Sequence, residues 1–458
     1  MNALLAALSL IILLFGGWGA GYLLLPREKS FADIMAHSWL LGAIFISMTF
    51  AILGTILSGS QLLAAVSILS IIPGFVAFRK MVVQKPPLLS WPRPHGLLEW
   101  VLFAGVLCEC IFLLKFAWTR SLGWDGLMVW ETKARIAFYN GGSLPLDYFN
   151  DPTRSWSNPE YPLMLPLLET WVYMWIGESS QSMVRIIFPF FYLAALLLLY
   201  SGSVQVSGKR WVGLLTAFLL FFIPFSTAGQ SNAFAGYADF PLAVLFLAAV
   251  VSFIQYTRDP IDSRLLLFAV YAGALPWMKR EGSLLWLCLI FVAGAGLVRQ
   301  HKLRLALFAT LPGLVVIVAW KIAMLSVKAI PTHDFLPATM ENLMNNAPRF
   351  GTILRLLLRE LFSITDWNIL WIVFPVALLL LAARGKRLLS LHLGALVFIP
   401  LLLYAGIYIL SSWNPYQTHI DCSLPRLISQ LSLVALLTFG IAFALPDHKP
   451  PALASRET

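Results

Sequence analysis

Apolar residues run along this chain in solid blocks rather than in alternation, and the blocks recur from the first residues almost to the last. Each is about as long as a helix needs to cross a bilayer's hydrocarbon, roughly 20 residues. Read by hydropathy, they predict helices near residues 3–25, 32–57, 61–78, 98–118, 183–206, 211–228, 238–256, 264–278, 283–298, 305–327, 367–383, 389–410 and 424–445, about thirteen crossings. A transmembrane barrel would show segments of about ten residues with alternating polarity. The runs Leu193 to Tyr200 and Val376 to Ala383 do not alternate. The first block, Leu4 to Leu25, has no basic residue before it and runs too long for the apolar centre of a signal peptide, so it predicts a retained helix. The expected fold is an all-α polytopic membrane protein with amphipathic juxtamembrane helices in a large outer loop.

The polar residues between blocks set an expected orientation. With the N-terminus outside, the cytoplasmic connections hold Arg27, Lys29, Arg79, Lys80, Lys85, Arg93, Lys209, Arg210, Arg258, Arg264, Arg299, Lys302, Arg304, Arg384, Lys386 and Arg387. The short outer connections 58–61 and 229–237 hold no basic residue, as the positive-inside rule requires. Three long segments then fall outside, 119–182, 328–366 and 411–423, and most of the acidic residues fall with them. In the first, Leu127, Trp130, Ala134 and Phe138 recur at helical spacing with Glu131 and Arg135 as an i,i+4 pair, predicting a surface helix. Leu163 to Ile176 predicts a second helix, too polar at Glu169 and too short to span, that lies flat or dips in.

Composition agrees with the pattern. Hydrophobic residues make up 59% and charged residues 12% of the chain, against about 25% charged in soluble domains. The net charge of +10 sits in short clusters between blocks, which reads as topology rather than as a nucleic-acid footprint. Cys108, Cys110 and Cys288 fall inside predicted helices and only Cys422 in a loop, so no disulfide framework is expected.

Intramembrane and membrane-level charges are where chemistry is expected. Asp125, after Trp124 and before an amphipathic stretch, reads as an N-cap or Asp-Gly turn and equally as a general base. Asp239, in Tyr237-Ala238-Asp239-Phe240-Pro241, reads as a helix cap or as a second carboxylate in the same outer pocket. Lys279-Arg280-Glu281-Gly282 breaks an apolar hairpin on the outer side, where snorkelling or the holding of a phosphate explains the cations. Arg426, at the expected outer start of the last helix, and Arg185 are two further candidate phosphate ligands. His333, Asp334, His419 and Asp421 lack the spacing of a metal site, so a divalent metal is possible without being required.

At these residues the chain resembles membrane-embedded glycosyltransferases of the GT-C class, in the branch of protein O-mannosyltransferases and lipid A aminoarabinose transferase. The resemblance runs through Asp125, Asn158-Pro159-Glu160-Tyr161-Pro162-Leu163, Ile176-Gly177-Glu178-Ser179, Val184-Arg185-Ile186, Tyr237 to Leu242, Lys279 to Gly282 and Arg426. It covers roughly residues 97 to 446, through order and spacing rather than through one motif. Residues 1–96 are then a three-helix addition, 97–446 the catalytic core and 447–458 a cytoplasmic tail. Gly126 stands where the family has a second loop carboxylate, and Glu160-Tyr161-Pro162 replaces a His- or Tyr-Pro-Pro element.

The resemblance implies inverting transfer of a sugar from a polyprenyl-phosphate donor to a lipid, glycan or protein acceptor on the non-cytoplasmic face of a bacterial inner membrane. Asp125 and Asp239 would be catalytic. Lys279, Arg280, Arg426 and Arg185 would bind the donor phosphate, and Trp124, Trp130, Lys133, Glu160, Tyr161, Tyr237 and Glu281 the substrates. Two other readings stay open: a lipid-linked glycan ligase or polymerase that works through outward Arg residues without Asp125, and a transporter. Transport needs polar residues buried mid-helix, for which Glu99, Glu109, Lys115 and Lys321 are the candidates.

Overall fold

The computed structural model describes residues 1–25, 31–84, 93–229, 231–299 and 301–444. Arg27, Lys29, Lys85, the last expected core residues 445–446 and the expected tail lie outside the described residues. Twenty α-helices follow one another among the described residues: α1 Asn2–Leu24, α2 Phe31–Leu53, α3 Gly59–Gln84, α4 Gly96–Thr119, α5 Thr132–Tyr139, α6 Met164–Ile176, α7 Gln181–Val184, α8 Ile187–Ser207, α9 Arg210–Phe218 and α10 Pro224–Thr227. The second half comprises α11 Asp239–Arg258, α12 Asp262–Met278, α13 Glu281–Arg299, α14 Leu303–Ser326, α15 Met340–Asn346, α16 Phe350–Leu361, α17 Ile364–Trp367, α18 Leu370–Ala383, α19 Arg387–Ile407 and α20 Tyr416–Ala444. Among the described residues the only β-pairing is a single bridge between Phe335 and Ser411. Among the described residues ten helices are long and apolar enough to cross a membrane, so this is an all-α integral membrane protein.

Every apolar block became helix, but not every block became one long helix. Residues 211–228 divide into α9, a 3-10 turn Leu219–Phe222 and α10, because Ile223 precedes Pro224 and is pushed to an extended backbone. The last helix begins at Tyr416, eight residues before the expected 424, with Pro425 inside it. Neighbouring helices and local adjustments satisfy the backbone groups that a proline frees, so proline does not end a helix in a bundle of this kind.

Helix α11 is the axis of the bundle. All but its last turn is buried, against α8, α12 and α20, and α20 is buried in turn under α9, α18 and α19. Helices α4 and α14 expose most of their apolar side chains, Trp100, Ile111, Leu311 and Ile322 among them, as helices that face lipid do.

Helices α1, α2 and α3 pack together and dock on α6 and α8. Trp171 Nε1 donates to the Ser9 carbonyl at 3.1 Å and Asn2 Nδ2 to Glu178 Oε1 at 2.7 Å. Both chains advance seven residues between these contacts, so α6 runs antiparallel to α1 and dips about 10 Å into the bundle.

The long connections share one face, called the loop face below. Ile330 N donates to the Phe149 carbonyl at 2.9 Å, Leu336 N to Leu410 at 2.7 Å and Ser412 N to Asp334 at 3.0 Å, which ties the three segments together.

Candidate functional site

Asp239 is the first residue of α11, where a carboxylate favours the helix dipole. Its side chain makes no capping bond. Oδ1 accepts from Lys279 Nζ and Gln430 Nε2, both at 2.7 Å, while Oδ2 accepts from Arg426 Nε at 3.1 Å and Nη2 at 3.0 Å. A carboxylate has about four lone-pair sites, and four donor contacts fill them. Asp239 is fully buried and Lys279 nearly so, so this acid holds cations and has no lone pair left for a proton.

The surrounding backbone explains how the donors arrive. Lys279 adopts an extended backbone in the break between α12 and α13. That break is tight: a Cβ on Gly282 would stand 1.9 Å from the Leu275 carbonyl oxygen, so only glycine fits. Arg426 and Gln430 are i,i+4 neighbours on α20 and present both donors from one face.

Asp125 reaches the same node from the other side. Its Oδ2 lies 2.7 Å from Arg426 Nη2, so one guanidinium bridges carboxylates from distant segments. Asp125 makes no side-chain capping bond, and the chain after it winds as a π turn, Gly126–Glu131, before α5 begins. Gly123 N donates to the Ala235 carbonyl at 2.7 Å, and a Cβ on Gly126 would stand 2.3 Å from that same oxygen. There is no room at 126 for a second carboxylate, which accounts for Asp-Gly at this turn. Asp125 keeps 24% of its side chain exposed, and its Oδ1 makes no hydrogen bond among the described residues. The Arg426 guanidinium stacks over the Tyr237 ring at 4.7 Å, a favourable cation–π placement.

A second set of charges forms the rim. Glu160 Oε1 accepts from Arg280 Nη1 at 3.0 Å and from Thr332 Oγ1 at 2.8 Å, while the Glu160 carbonyl accepts from Trp320 Nε1 at 2.9 Å. Arg280 lies between the rings of Tyr161 and Phe335, at 5.3 and 5.8 Å. Glu281 pairs with Lys279 at 3.1 Å, and its Oε2 is buried without a partner.

Lys133 is fully buried, and its amine lies 5.4 Å from each of the Trp130 and Tyr161 rings. Its one hydrogen bond among the described residues, 2.8 Å, goes to the carbonyl of Asn158, a residue held at φ 51°. Burial pulls this amine down from the usual lysine range to about 7, against the pull of Asp125 and Glu160 upward. Burial likewise raises the Tyr161 and Tyr237 hydroxyls.

Lys133, Lys279, Arg280 and Arg426 balance Asp125, Glu160, Asp239 and Glu281 when all are ionised. An incoming anion therefore competes with carboxylates for these cations. Donors that make no hydrogen bond among the described residues include Nη1 of Arg426 and Nε of Arg280.

Two expected members stand apart. Arg185 donates to the Arg120 carbonyl, its Nε is buried without a partner, and no contact among the described residues joins it to the node. Its place two residues before α8 aims it at the end of α4 instead. Trp124 is largely exposed. The expected pair Glu131–Arg135 forms at 2.8 Å, with Tyr173 also donating to Glu131 at 2.6 Å.

The His and Asp residues considered for a metal are engaged by other partners: Asp421 pairs with Arg359, Asp334 accepts from Trp413 Nε1, and His419 bonds Ser411. Among the described residues no three His, Cys, Asp or Glu side chains gather as a metal site. Of the mid-helix polar residues, Glu109 is buried beside the Tyr192 hydroxyl, while Glu99, Lys115 and Lys321 are partly or fully exposed near helix ends.

Sequence reasoning missed Gln430 and Thr332. Gln430 was visible as a polar residue four positions after Arg426 in an apolar run. Thr332 bonds across 172 residues of chain and left no local signal. No family model, no curated protein and no solved structure matches this chain.

Proposed function

We propose that the protein is a membrane glycosyltransferase of GT-C type that moves a sugar from a polyprenyl-phosphate donor to an acceptor on the non-cytoplasmic face, with inversion. The reading carries with it about thirteen crossings, an N-terminus outside, a bacterial inner membrane and residues 1–96 as an added three-helix region. The observation that supports it most is the convergence of Asp125 and Asp239, 114 positions apart in the chain, on one arginine, with a second cation on the same acid. Helix caps alone do not account for that convergence, since neither carboxylate caps its helix.

The geometry suggests separate roles. Asp239 positions Lys279 and Arg426. Those two cations and Arg280 receive the phosphate, where charge develops as the lipid phosphate departs. Phosphate binding at Arg426 competes with Asp125 and frees its carboxylate. Asp125 then takes the acceptor's proton as the acceptor oxygen forms its bond to the sugar's anomeric carbon, and the carbon–oxygen bond to phosphate breaks with its electron pair on the leaving group. A leaving phosphate needs no proton from an acid. Tyr161, Trp130 and Tyr237 wall the space between these charges.

Mass spectrometry of lipids that co-purify with the wild type, Arg426→Ala and Asp125→Asn tests this. The expected result is a polyprenyl phosphate or its sugar conjugate that is lost with Arg426→Ala and kept, as the uncleaved conjugate, with Asp125→Asn. Arg426→Lys, which preserves a charge on Asp239, shows whether loss reflects the contact or misfolding. Absence of such a lipid from folded wild type and Asp125→Asn overturns the reading and leaves transport to be tested.

A further inference from the structure

The second long connection contains a feature that the site does not use. Helix α16, Phe350–Leu361, buries Ile353 and Leu357 against α19 and α20. A second apolar stripe on the same helix, Phe350, Leu354 and Leu358, points away from the protein and is 37 to 45% exposed. The spacing of four places these three side chains on one face, and at 100° per residue Arg355 lies beside that face.

Arg355 is exposed and makes no ion pair among the described residues. The stripe does not end with the helix. Phe362 and Ile364 extend it, and Ile369, Ile372 and Leu379 carry it onto the outward face of α18, all exposed. Helix α18 is an apolar helix of 14 residues, so the chain leads from the stripe on α16 straight into a helix with an exposed apolar face.

The angle of α16 fits a helix that lies on a membrane. Arg359 meets Asp421 at 2.6 Å, and Arg349 stacks over Tyr416 at 4.8 Å. Arg349 closes the 3-10 turn that leads into α16, so these contacts are ten positions apart along that segment but only five apart on α20. Helix α16 therefore crosses α20 obliquely instead of extending the bundle outward.

We propose that α16 is an interfacial helix that immerses Phe350, Leu354 and Leu358 in the leaflet at the loop face and sets Arg355 against anionic lipid headgroups. The occupant of the exposed stripe is the lipid surface, chosen by continuity with α18 and by the charge beside the stripe. The inference rests on the membrane fold alone and holds whether or not sugar transfer does.

Spin labels read this directly. In a background without native cysteines, Leu354→Cys, Leu358→Cys and, as a solvent control, Glu341→Cys are labelled in nanodiscs of phosphatidylcholine with and without phosphatidylglycerol. Oxygen is expected to relax the labels at 354 and 358 several-fold more than a water-soluble nickel chelate does, with the reverse at 341. Phosphatidylglycerol is expected to deepen label 354, and Arg355→Gln to abolish that deepening. Chelate accessibility at both 354 and 358 equal to that at 341, in monodisperse protein, overturns the immersion. Equal depth in the two lipid compositions overturns the anionic preference.

Discussion

Helix α20 carries two ion pairs five positions apart that differ in little but surroundings. Asp421 meets Arg359 at 2.6 Å with 50% and 63% of the two side chains exposed, whereas Arg426 meets an Asp239 that is wholly buried. The first pair sits in water, where Coulomb attraction is weak and two long side chains lose freedom to form it. The second sits away from bulk water in a network that Lys279, Gln430 and Asp125 complete, so removing either half leaves charge with little solvent to replace the lost partner. The difference teaches where sequence acidity carries function. An Asp in a membrane helix is informative when burial forces its partners to converge, and Asp239 gathers three donor side chains from one other helix and an interhelical break.

Removing the buried acid is the most direct way to break this contrast. Asp239→Asn leaves Lys279 and Arg426 buried around a neutral amide that itself carries donors. Breaking a buried pair costs about 3–5 kcal/mol, a large share of the roughly 5–15 kcal/mol by which folded proteins are stable. The expected outcome is loss of the monodisperse peak and a collapsed Tm in detergent. Gln430→Leu, which removes one neutral donor, should cost only about 1 kcal/mol; a similar loss from both variants would mean that packing, not charge, dominates the node.

Asp125 sharpens the contrast from the half-exposed side of the same arginine. Asp125→Asn keeps an oxygen for Arg426 and leaves the node's other contacts intact, so Tm should change little. If Asp125 is the base, sugar transfer falls by about 10²–10⁴, measured by turnover of a polyprenyl-phosphate sugar in detergent or nanodiscs. Retained turnover would remove Asp125 from the chemistry and favour the ligase or polymerase reading, in which arginines suffice.

Much of this was legible beforehand, for reasons that the residues make plain. Apolar blocks long enough to span a bilayer became helices because lipid leaves the backbone no alternative. Asp125, Asp239, Lys279 and Arg426 stood out because charge is rare in such blocks and each lay at the same expected level. Other features depended on three-dimensional context. The last helix was expected from 424, yet it begins at Tyr416 and holds Pro425 inside it. Arg185 had the right sequence level but the wrong azimuth, and bonds Arg120. The saturation of Asp239 was not foreseeable either, since it required knowing that Gln430 shares a helix face with Arg426. The apolar spacing of 350, 353, 354, 357, 358 and 361 was visible in the chain, yet the arginines between these residues masked it in a hydropathy window.

A third test uses pH. The Lys133 amine titrates near 7 in the folded protein because burial disfavours its charge, while Asp125 and Glu160 oppose that shift. A free lysine side chain titrates near 10.4. Between these values the unfolded chain binds more protons than the folded one, so stability rises with pH across that window, by at most about 1.4 kcal/mol per unit from this group. Below about 7 both states are protonated and the full penalty remains. Lys133→Met should therefore be stabilised relative to wild type most at low pH, with the gap in Tm closing as pH rises from 7 toward 10. A gap independent of pH would show that Lys133 stays charged in the fold, held by Asp125 and Glu160.

The smallest effect is expected five positions from Arg426 on α20. Arg359→Gln and Asp421→Asn each remove one half of a pair that is open to solvent on both sides, and such pairs contribute about 0–1 kcal/mol. Each variant should shift Tm by no more than a degree or two, and their double-mutant cycle should give a coupling that fades with added salt, because exposed charges are screened. The same cycle between Asp125 and Arg426 should keep its coupling in salt, since only a quarter or less of either side chain reaches solvent. If the coupling at Arg359–Asp421 also resists salt, then α16 holds that pair away from bulk water, as a helix seated in headgroups would, and burial extends farther along α20 than solvent exposure of the bare protein indicates.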